Sequence, residues 1–329
     1  MIIGIINETS NYENRVAATP SSVKKFVLQG FEVWLETNAG IASGFSDSEY
    51  ILAGAAIKTN FKDIVSASDI LLMLYPSLLK KTKFLKNSVI IIGNFQHTAL
   101  SNDLKKVTCF ALEKLPRISK AQPFDILSSQ DNLSGYQAII KSTSMLKKSI
   151  PMMITSAGTI IPAKFLIIGL GVAGLQAIAT AKRLGAKVYA HDIRPETKEQ
   201  AKSLGSIFVD DFKEILPEID VVISCAFSAD KKAPLLIHKT DIKKMKEGSV
   251  LIDMAINNGG NIEGAQNMKS ININNCQIYA NGSLSNGIPQ SASIFYSNNL
   301  SNFVDYLKIS PDAPVKFDIK DDIIKATLI

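Results

Sequence analysis

The stretch KFLIIGLGVAGLQAIATAKRLGAKVYAHD, residues 164–192, decides the fold. A short apolar run leads into the glycines Gly169, Gly171 and Gly174. A helix-forming run follows, then a second apolar run that ends at Asp192. A lone G-x-G-x-x-G is a weak signal, because glycines also serve plain turns. Placed between a strand and a helix, each glycine has a mechanical task. Gly169 permits the tight turn, Gly171 lets the backbone approach a pyrophosphate, and Gly174 lets helix and strand pack closely. The free N–H groups and dipole at the start of the helix, at Val172 and Ala173, then suit a phosphate. Asp192 stands 18 residues after Gly174, where a carboxylate accepts hydrogen bonds from ribose hydroxyls and repels a 2′-phosphate. Arg194 next to it could accommodate that phosphate, but a carboxylate at the strand end favours NAD over NADP. Ile193 completes this adenosine-side group.

Working outward, short β-rich runs alternate with helix-compatible stretches, the pattern of parallel α/β architecture. Strands are expected at 2–6, 32–36, 70–74, 89–92 and 108–112, and again at 164–168, 187–190, 206–209, 221–225, 250–253 and 277–280. Thr19-Pro20-Ser21-Ser22 marks a helix start. A helix-compatible stretch at 128–150 separates the two sets. Ile294, Leu300, Phe303, Val304 and Leu307 recur at helical spacing near the end, as a helix returning to the first domain. The expectation is two doubly wound α/β domains, 1–128 plus 288–329 and 129–287, the second binding NAD(H). Ala226, Phe227 and the Asp253-Met254-Ala255 segment follow strands of that sheet, at the carboxyl ends where a nicotinamide would lie; Phe227 reads equally well as simple packing.

The totals narrow the field. With 329 residues, 46% hydrophobic and 20% charged, the chain can bury a core in each of two domains. A net charge of +6 comes from dispersed lysines, with short pairs at Lys80-Lys81 and Lys243-Lys244 and no basic stripe interleaved with aromatics, which argues against nucleic acid. Cys109, Cys225 and Cys276 each sit in an apolar run and read as buried thiols rather than disulfides or ligands. His97, His191 and His238 stand apart, so no metal site is expected. MIIGIINETS reads as a first strand and not a signal peptide, and no run is long enough to span a membrane.

A polar cluster adds chemistry. LPRISKAQPFDILSSQDNLSGY, residues 115–136, carries Arg117, Gln122 and Asp125 within nine positions, just before an apolar helix. A structural reading stays open there, in which Asp125 or Ser128 caps the helix and Arg117 is a surface charge. This stretch, residues 151–194, NRVAATP at 14–20, KMKEGSVLIDMAINNGG at 244–260 and SASIFYSNNLSNFV at 291–304 together resemble one family. It is the NAD(H)-binding component (alpha subunit, domain I) of proton-translocating NAD(P) transhydrogenase, within the alanine dehydrogenase/transhydrogenase superfamily.

The resemblance implies two Rossmann-like domains with NAD(H) in the cleft between them, and a homodimer. It implies direct hydride transfer to or from NADP(H) on a partner domain, with proton movement in separate membrane-spanning subunits on which the chain sits at the cytoplasmic side of the inner membrane. By it, Arg117, Gln122 and Asp125 hold the nicotinamide end, with Gln122 toward the partner and Ile118, Ser119 and Ser128 as further contacts. One departure stands out. Members of the family carry a long mobile loop with a tyrosine after the strand that follows SLG, whereas about ten residues connect the strands here. Residues 281–290 also diverge, and nothing is carried over there.

Two other readings remain. Alanine dehydrogenase shares the architecture, and Arg15 matches its substrate arginine. However, Tyr75-Pro76 stands where its lysine motif belongs, Asn257 where its aspartate belongs, and His97 is one position out of register. The other is a paralogue that binds NAD(H) without transferring hydride.

Overall fold

The computed structural model describes residues 1–10, 12–76, 79, 82–96, 104, 107–227, 232–312 and 315–329. His97, Lys80 and Lys81 lie outside these. The chain divides into two compact units, Met1–Gln130 with Ile288–Ile329, and Asp131–Gly287.

The first unit holds a six-stranded parallel sheet. Its strands are β1 (Ile2–Ile5), β2 (Glu32–Glu36), β3 (Ala56–Lys58), β4 (Ile70–Leu72), β5 (Ile90–Gly93) and β6 (Thr108–Ala111), in the order β3-β2-β1-β4-β5-β6. Both faces are covered. Ile70 and Leu72 belong to one apolar cluster and Leu71 to the other, so the strand reads as an unbroken apolar run. The helices α1 (Pro20–Leu28), α2 (Asp47–Leu52) and α3 (Phe61–Ala67) connect the first strands. Helix α1 opens on Thr19 and Pro20 with a reciprocal Thr19–Ser22 capping pair. Helix α8 (Pro289–Tyr306) brings Tyr296, Leu300, Phe303 and Val304 into this unit's core, while Ile294, expected in the same stripe, is exposed.

The second unit repeats the plan. Its sheet has β9 (Lys164–Ile168), β10 (Lys187–His191), β11 (Ile207–Phe208), β12 (Val221–Ser224), β13 (Val250–Asp253), β14 (Ser270–Ile273) and β15 (Cys276–Ala280), in the order β11-β10-β9-β12-β13-β15-β14. Every pairing is parallel except β14 with β15. Phe165 and Ile167 face one cluster and Leu166 and Ile168 the other. The helices α4 (Ile126–Met145), α5 (Val172–Arg183), α6 (Thr197–Ser203) and α7 (Lys239–Ile242) accompany it, α4 beginning in the first unit; the short α9 (Asp322–Thr327) belongs to the first. Two doubly wound parallel sheets are thus the architecture, as the alternation of runs implied.

The connection from β11 to β12 is short and folded down. Phe212, Leu216 and Ile219 within it are buried in the core of the unit. A two-stranded hairpin, β7 (Met153–Thr155) with β8 (Gly158–Ile160), stands apart with both strands exposed. The three cysteines are buried and unpaired.

Candidate functional site

The turn after β9 is built as the glycine pattern requires. Gly169 has φ +92, a left-handed conformation that favours glycine, and a Cβ there would lie 2.7 Å from the backbone nitrogen of Ala226. A Cβ at Gly174 would overlap the carbonyl oxygen of Gly169, so α5 lies against the turn only because position 174 has no side chain. Gly171 differs from both. It caps α5 with an extended backbone (φ −78, ψ −166), and a Cβ there would meet no atom of the described residues within 4 Å. Packing therefore does not require glycine at 171. The open space over it, with Val172 exposed at the first helical position, is what an approaching phosphate needs. Ala173 is buried, and its carbonyl oxygen fills the space a Cβ at Gly135 of α4 would take.

Asp192 follows β10 and is bound into the turn. Its Oδ2 accepts from the N–H of Leu170 (2.6 Å), and the Arg194 guanidinium pairs with both of its oxygens at 3.0 Å. Burial works against the charge, but Arg194 and the Leu170 N–H outweigh it and hold the carboxyl below its usual value. Ile193 beside it is 90% exposed. After β12, Ala226 packs its backbone on Gly169, and Phe227 is half-exposed. Beneath them the Cys225 thiol donates to the carbonyl of Gly169 (3.0 Å), and burial pushes its pKa up to about 12, so it serves as packing.

In the first unit, Ser119–Phe124 forms a 3-10 turn that leaves Arg117, Ile118, Ser119 and Gln122 exposed. The Arg117 and Gln122 side chains have no hydrogen bond among the described residues. Asp125 does: its carboxylate accepts from the Ser128 N–H (2.9 Å) and hydroxyl (2.6 Å), capping α4. Of the two candidate caps it is therefore Asp125 that caps the helix, with Ser128 as its donor. Asn299 carries no such signal in the sequence. Its amide donates to the Pro123 carbonyl (2.8 Å) and its Oδ1 accepts from Ser129 (2.7 Å), so α8 anchors the polar turn.

Arg15 is buried and already partnered. Glu13 pairs with its Nε and Nη2 (2.9 and 2.6 Å), Tyr75 accepts at 3.0 Å and Gln130 at 2.9 Å. Burial opposes its charge and the Glu13 carboxylate more than restores it. His191 meets the Val209 carbonyl and rests on Phe212, and His238 holds the N-cap position of α7, where its backbone N–H donates to the Asp241 carboxylate (3.1 Å). No cluster of three or more His, Cys, Asp or Glu among the described residues could hold a metal.

Two family models match, "Alanine dehydrogenase/PNT, N-terminal domain" over residues 4–134 and "Alanine dehydrogenase/PNT, C-terminal domain" over residues 138–329. The first portion of the NAD(P) transhydrogenase alpha subunit of Rickettsia prowazekii is 36% identical, with all of this chain and 94% of that protein covered. The alignment runs over 365 positions against 329 residues here, so that relative carries residues with no counterpart in this chain. The crystal structure of transhydrogenase from Sinorhizobium meliloti is similar with a TM-score of 0.93 at 35% identity, covering 100% of this chain and 98% of that one. An L-alanine dehydrogenase structure at 23% identity shares the fold, with a TM-score of 0.86 over 100% and 94% of the two chains. The chain belongs to the alanine dehydrogenase/PNT family and, within it, with the NAD(P) transhydrogenase alpha subunits.

Proposed function

We propose that this chain is the NAD(H)-binding component of a proton-translocating NAD(P) transhydrogenase. It passes hydride between its own NAD(H) and NADP(H) held on a partner subunit. The observation that carries this reading is Gly171, a helix-capping glycine that no contact among the described residues requires, beside a carboxylate that the chain keeps charged. The N–H groups at Val172, Ala173 and Gly174 would receive the pyrophosphate. Asp192 would take the ribose hydroxyls, with Ile193 and Arg194 against the adenosine and Ala226 and Phe227 on the nicotinamide side. Arg117, Gln122 and Asp125, with Ile118, Ser119 and Ser128, would hold the nicotinamide end, Gln122 facing the partner.

The bound nucleotide supplies the chemistry: a hydrogen nucleus and two electrons leave one dihydropyridine ring and join the pyridinium ring of the other nucleotide. No proton changes hands, so the protein needs no acid or base. Its residues orient the ring and keep water away, and positioning supplies most of the rate. No helix among the described residues is long and apolar enough to cross a membrane. By the resemblance, proton movement would belong to membrane-spanning partner subunits, which would hold this chain at the cytoplasmic side of the inner membrane. The exposed Met153, Ile154 and Ile160 of the β7–β8 hairpin support a homodimer, since an isolated hairpin is marginal in water.

Alanine dehydrogenase chemistry fits less well. It needs a proton donor near a substrate arginine, and Arg15 is closed in by Glu13, Gln130 and Tyr75. The short, packed β11–β12 connection favours a second reading, an NAD(H)-binding paralogue that does not turn over. Mixing the protein with a transhydrogenase NADP-binding domain and following reduction of an NAD analogue by NADPH separates the three. Transfer supports the proposal. Bound NADH with no transfer leaves the paralogue, and oxidation of alanine by the chain alone would restore the dehydrogenase.

A further inference from the structure

Asn261 lies in the loop after β13 and is fully buried, yet every polar group it has is used. Its Oδ1 accepts from the Ala226 N–H (3.2 Å) and the Ser224 hydroxyl (2.8 Å). Its Nδ2 donates to the carbonyls of Ala226 and Pro234, both at 2.8 Å. Its backbone carbonyl accepts from Leu236 and Ile237. One amide therefore staples Ala226 and Pro234, the two stems of the loop that leaves β12. Asn261 is itself fixed from behind. The Asp253 carboxylate, at the end of β13 and fully buried, accepts from the N–H groups of Ala255, Asn261 and Ile262 at 2.8–2.9 Å.

The stapled stem touches the glycine turn. Ala226 lies so close to Gly169 that a Cβ at 169 would be 2.8 Å from its Cα, and a Cβ at Gly174 would be 3.2 Å from the Cys225 sulfur. A displacement of Ala226 is therefore a displacement of the surface on which the turn rests. Apolar packing is non-directional and would not fix the two peptide planes that meet at Ala226; bonds to its N–H and to its C=O do.

We propose that Asn261, braced by Asp253, is a positioning residue for the nucleotide site: it sets the backbone of Ala226 and through it the Gly169–Gly174 turn. The inference rests on the reading that this turn holds NAD(H). Its removal leaves the peptide of Ala226 free to rotate, and the nucleotide meets a turn that has to be ordered on binding.

The test is Asn261→Ala, read by NADH affinity and by hydrogen exchange at the Ala226 amide, at a temperature where circular dichroism shows the variant folded. The expected result is a rise in the NADH dissociation constant of about tenfold or more, with faster exchange at Ala226. Ser224→Ala, which removes a hydroxyl bond and leaves the staple, should keep the affinity within about twofold. A purely structural Asn261 would lower the unfolding temperature and leave the affinity of the folded protein alone; that outcome overturns the proposal, as does unchanged Ala226 exchange. Should Asn261→Ala not fold, Asn261→Ser, which puts one hydroxyl where the amide carbon was and is too short to bridge both stems, is held to the same two readouts. If the wild-type protein binds no NADH, the functional reading falls instead, and the two failures are distinct.

Discussion

The carbonyl oxygen of Gly169 occupies the space that a Cβ at Gly174 would need, whereas no atom of the described residues lies in the space over Gly171. The two glycines are therefore required for different reasons, and the same substitution separates them. Gly174→Ala should destabilise the protein by about 1–3 kcal/mol, because a methyl group is forced against backbone that cannot yield. Gly171→Ala should cost less than about 1 kcal/mol, the loss from a poorer helix cap, but should weaken NADH binding at least about tenfold. Denaturant unfolding and NADH titration of both variants check this. Gly171→Ala that bound NADH normally would remove the observation on which the function rests.

In the proposed site, Asp192 is the group that would take the ribose hydroxyls. Asn in its place keeps an oxygen for the Leu170 N–H and removes the charge shared with Arg194. Asp192→Asn should weaken NADH binding by about 1–3 kcal/mol, the scale of a charge-assisted hydrogen bond. It should also narrow the preference for NADH over NADPH, since no carboxylate remains to repel the 2′-phosphate. Titration with both nucleotides decides it; an unchanged preference would place the discrimination elsewhere.

The parts legible in sequence are those where local chain and tertiary environment ask for the same residue. Phe165–Ile168 is apolar at every position because both faces of β9 are covered, and it reads as a strand at once. Strand β3 does not, because Ala56–Lys58 is half-exposed at a sheet edge and carries no such run. Strand β14, the antiparallel partner of the expected strand β15, is absent from the expected strands although the signal of its turn is present: Asn274 and Asn275 both have positive φ (50 and 58), the requirement of a two-residue turn that asparagine tolerates. At the site, the glycines carry their reasons with them. Asn261 does not, since its partners Ala226 and Pro234 lie 35 and 27 positions away and only the folded chain brings them together. Asn299 is hidden in the same way, sitting in an apolar helix stripe while its amide holds Pro123.

Gln122 and Asp125 should part company under mutation. Gln122 is exposed and its side chain bonds to nothing among the described residues, while Asp125 caps α4 through Ser128. Gln122→Asn should leave both stability and NADH affinity as they are and slow hydride transfer to the partner's nucleotide. Asp125→Ala should lower stability by about 1 kcal/mol, the usual cost of an N-cap. Stopped-flow transfer assays with a partner NADP domain, alongside unfolding curves, test the pair. A collapse of NADH binding in Gln122→Asn would mean that this residue faces the bound nucleotide and not the partner.

Glu8 gives the fold a pH dependence of definite sign. Its carboxylate is buried and accepts from the N–H groups of Leu74 (2.6 Å) and Tyr75 (2.8 Å), with Glu13 and Arg15 also acting on it. Burial outweighs those two donors and pushes the carboxyl up to about 7, against an ordinary value of 4.5 in the unfolded chain. Between these values the folded state holds a proton that the unfolded state has released, so stability falls as pH rises. The contribution is complete below about pH 4.5 and is lost as pH passes through about 7. Glu8→Gln cannot ionise and should lack this term, so its unfolding free energy, measured in urea from pH 5 to 8, should change less over that range than that of the wild type. The difference between the two should level off above pH 7, where Glu8 is charged in both states. Parallel pH profiles for the two proteins would show that Glu8 titrates in the fold as it does in the unfolded chain, and that its two N–H donors compensate its burial in full.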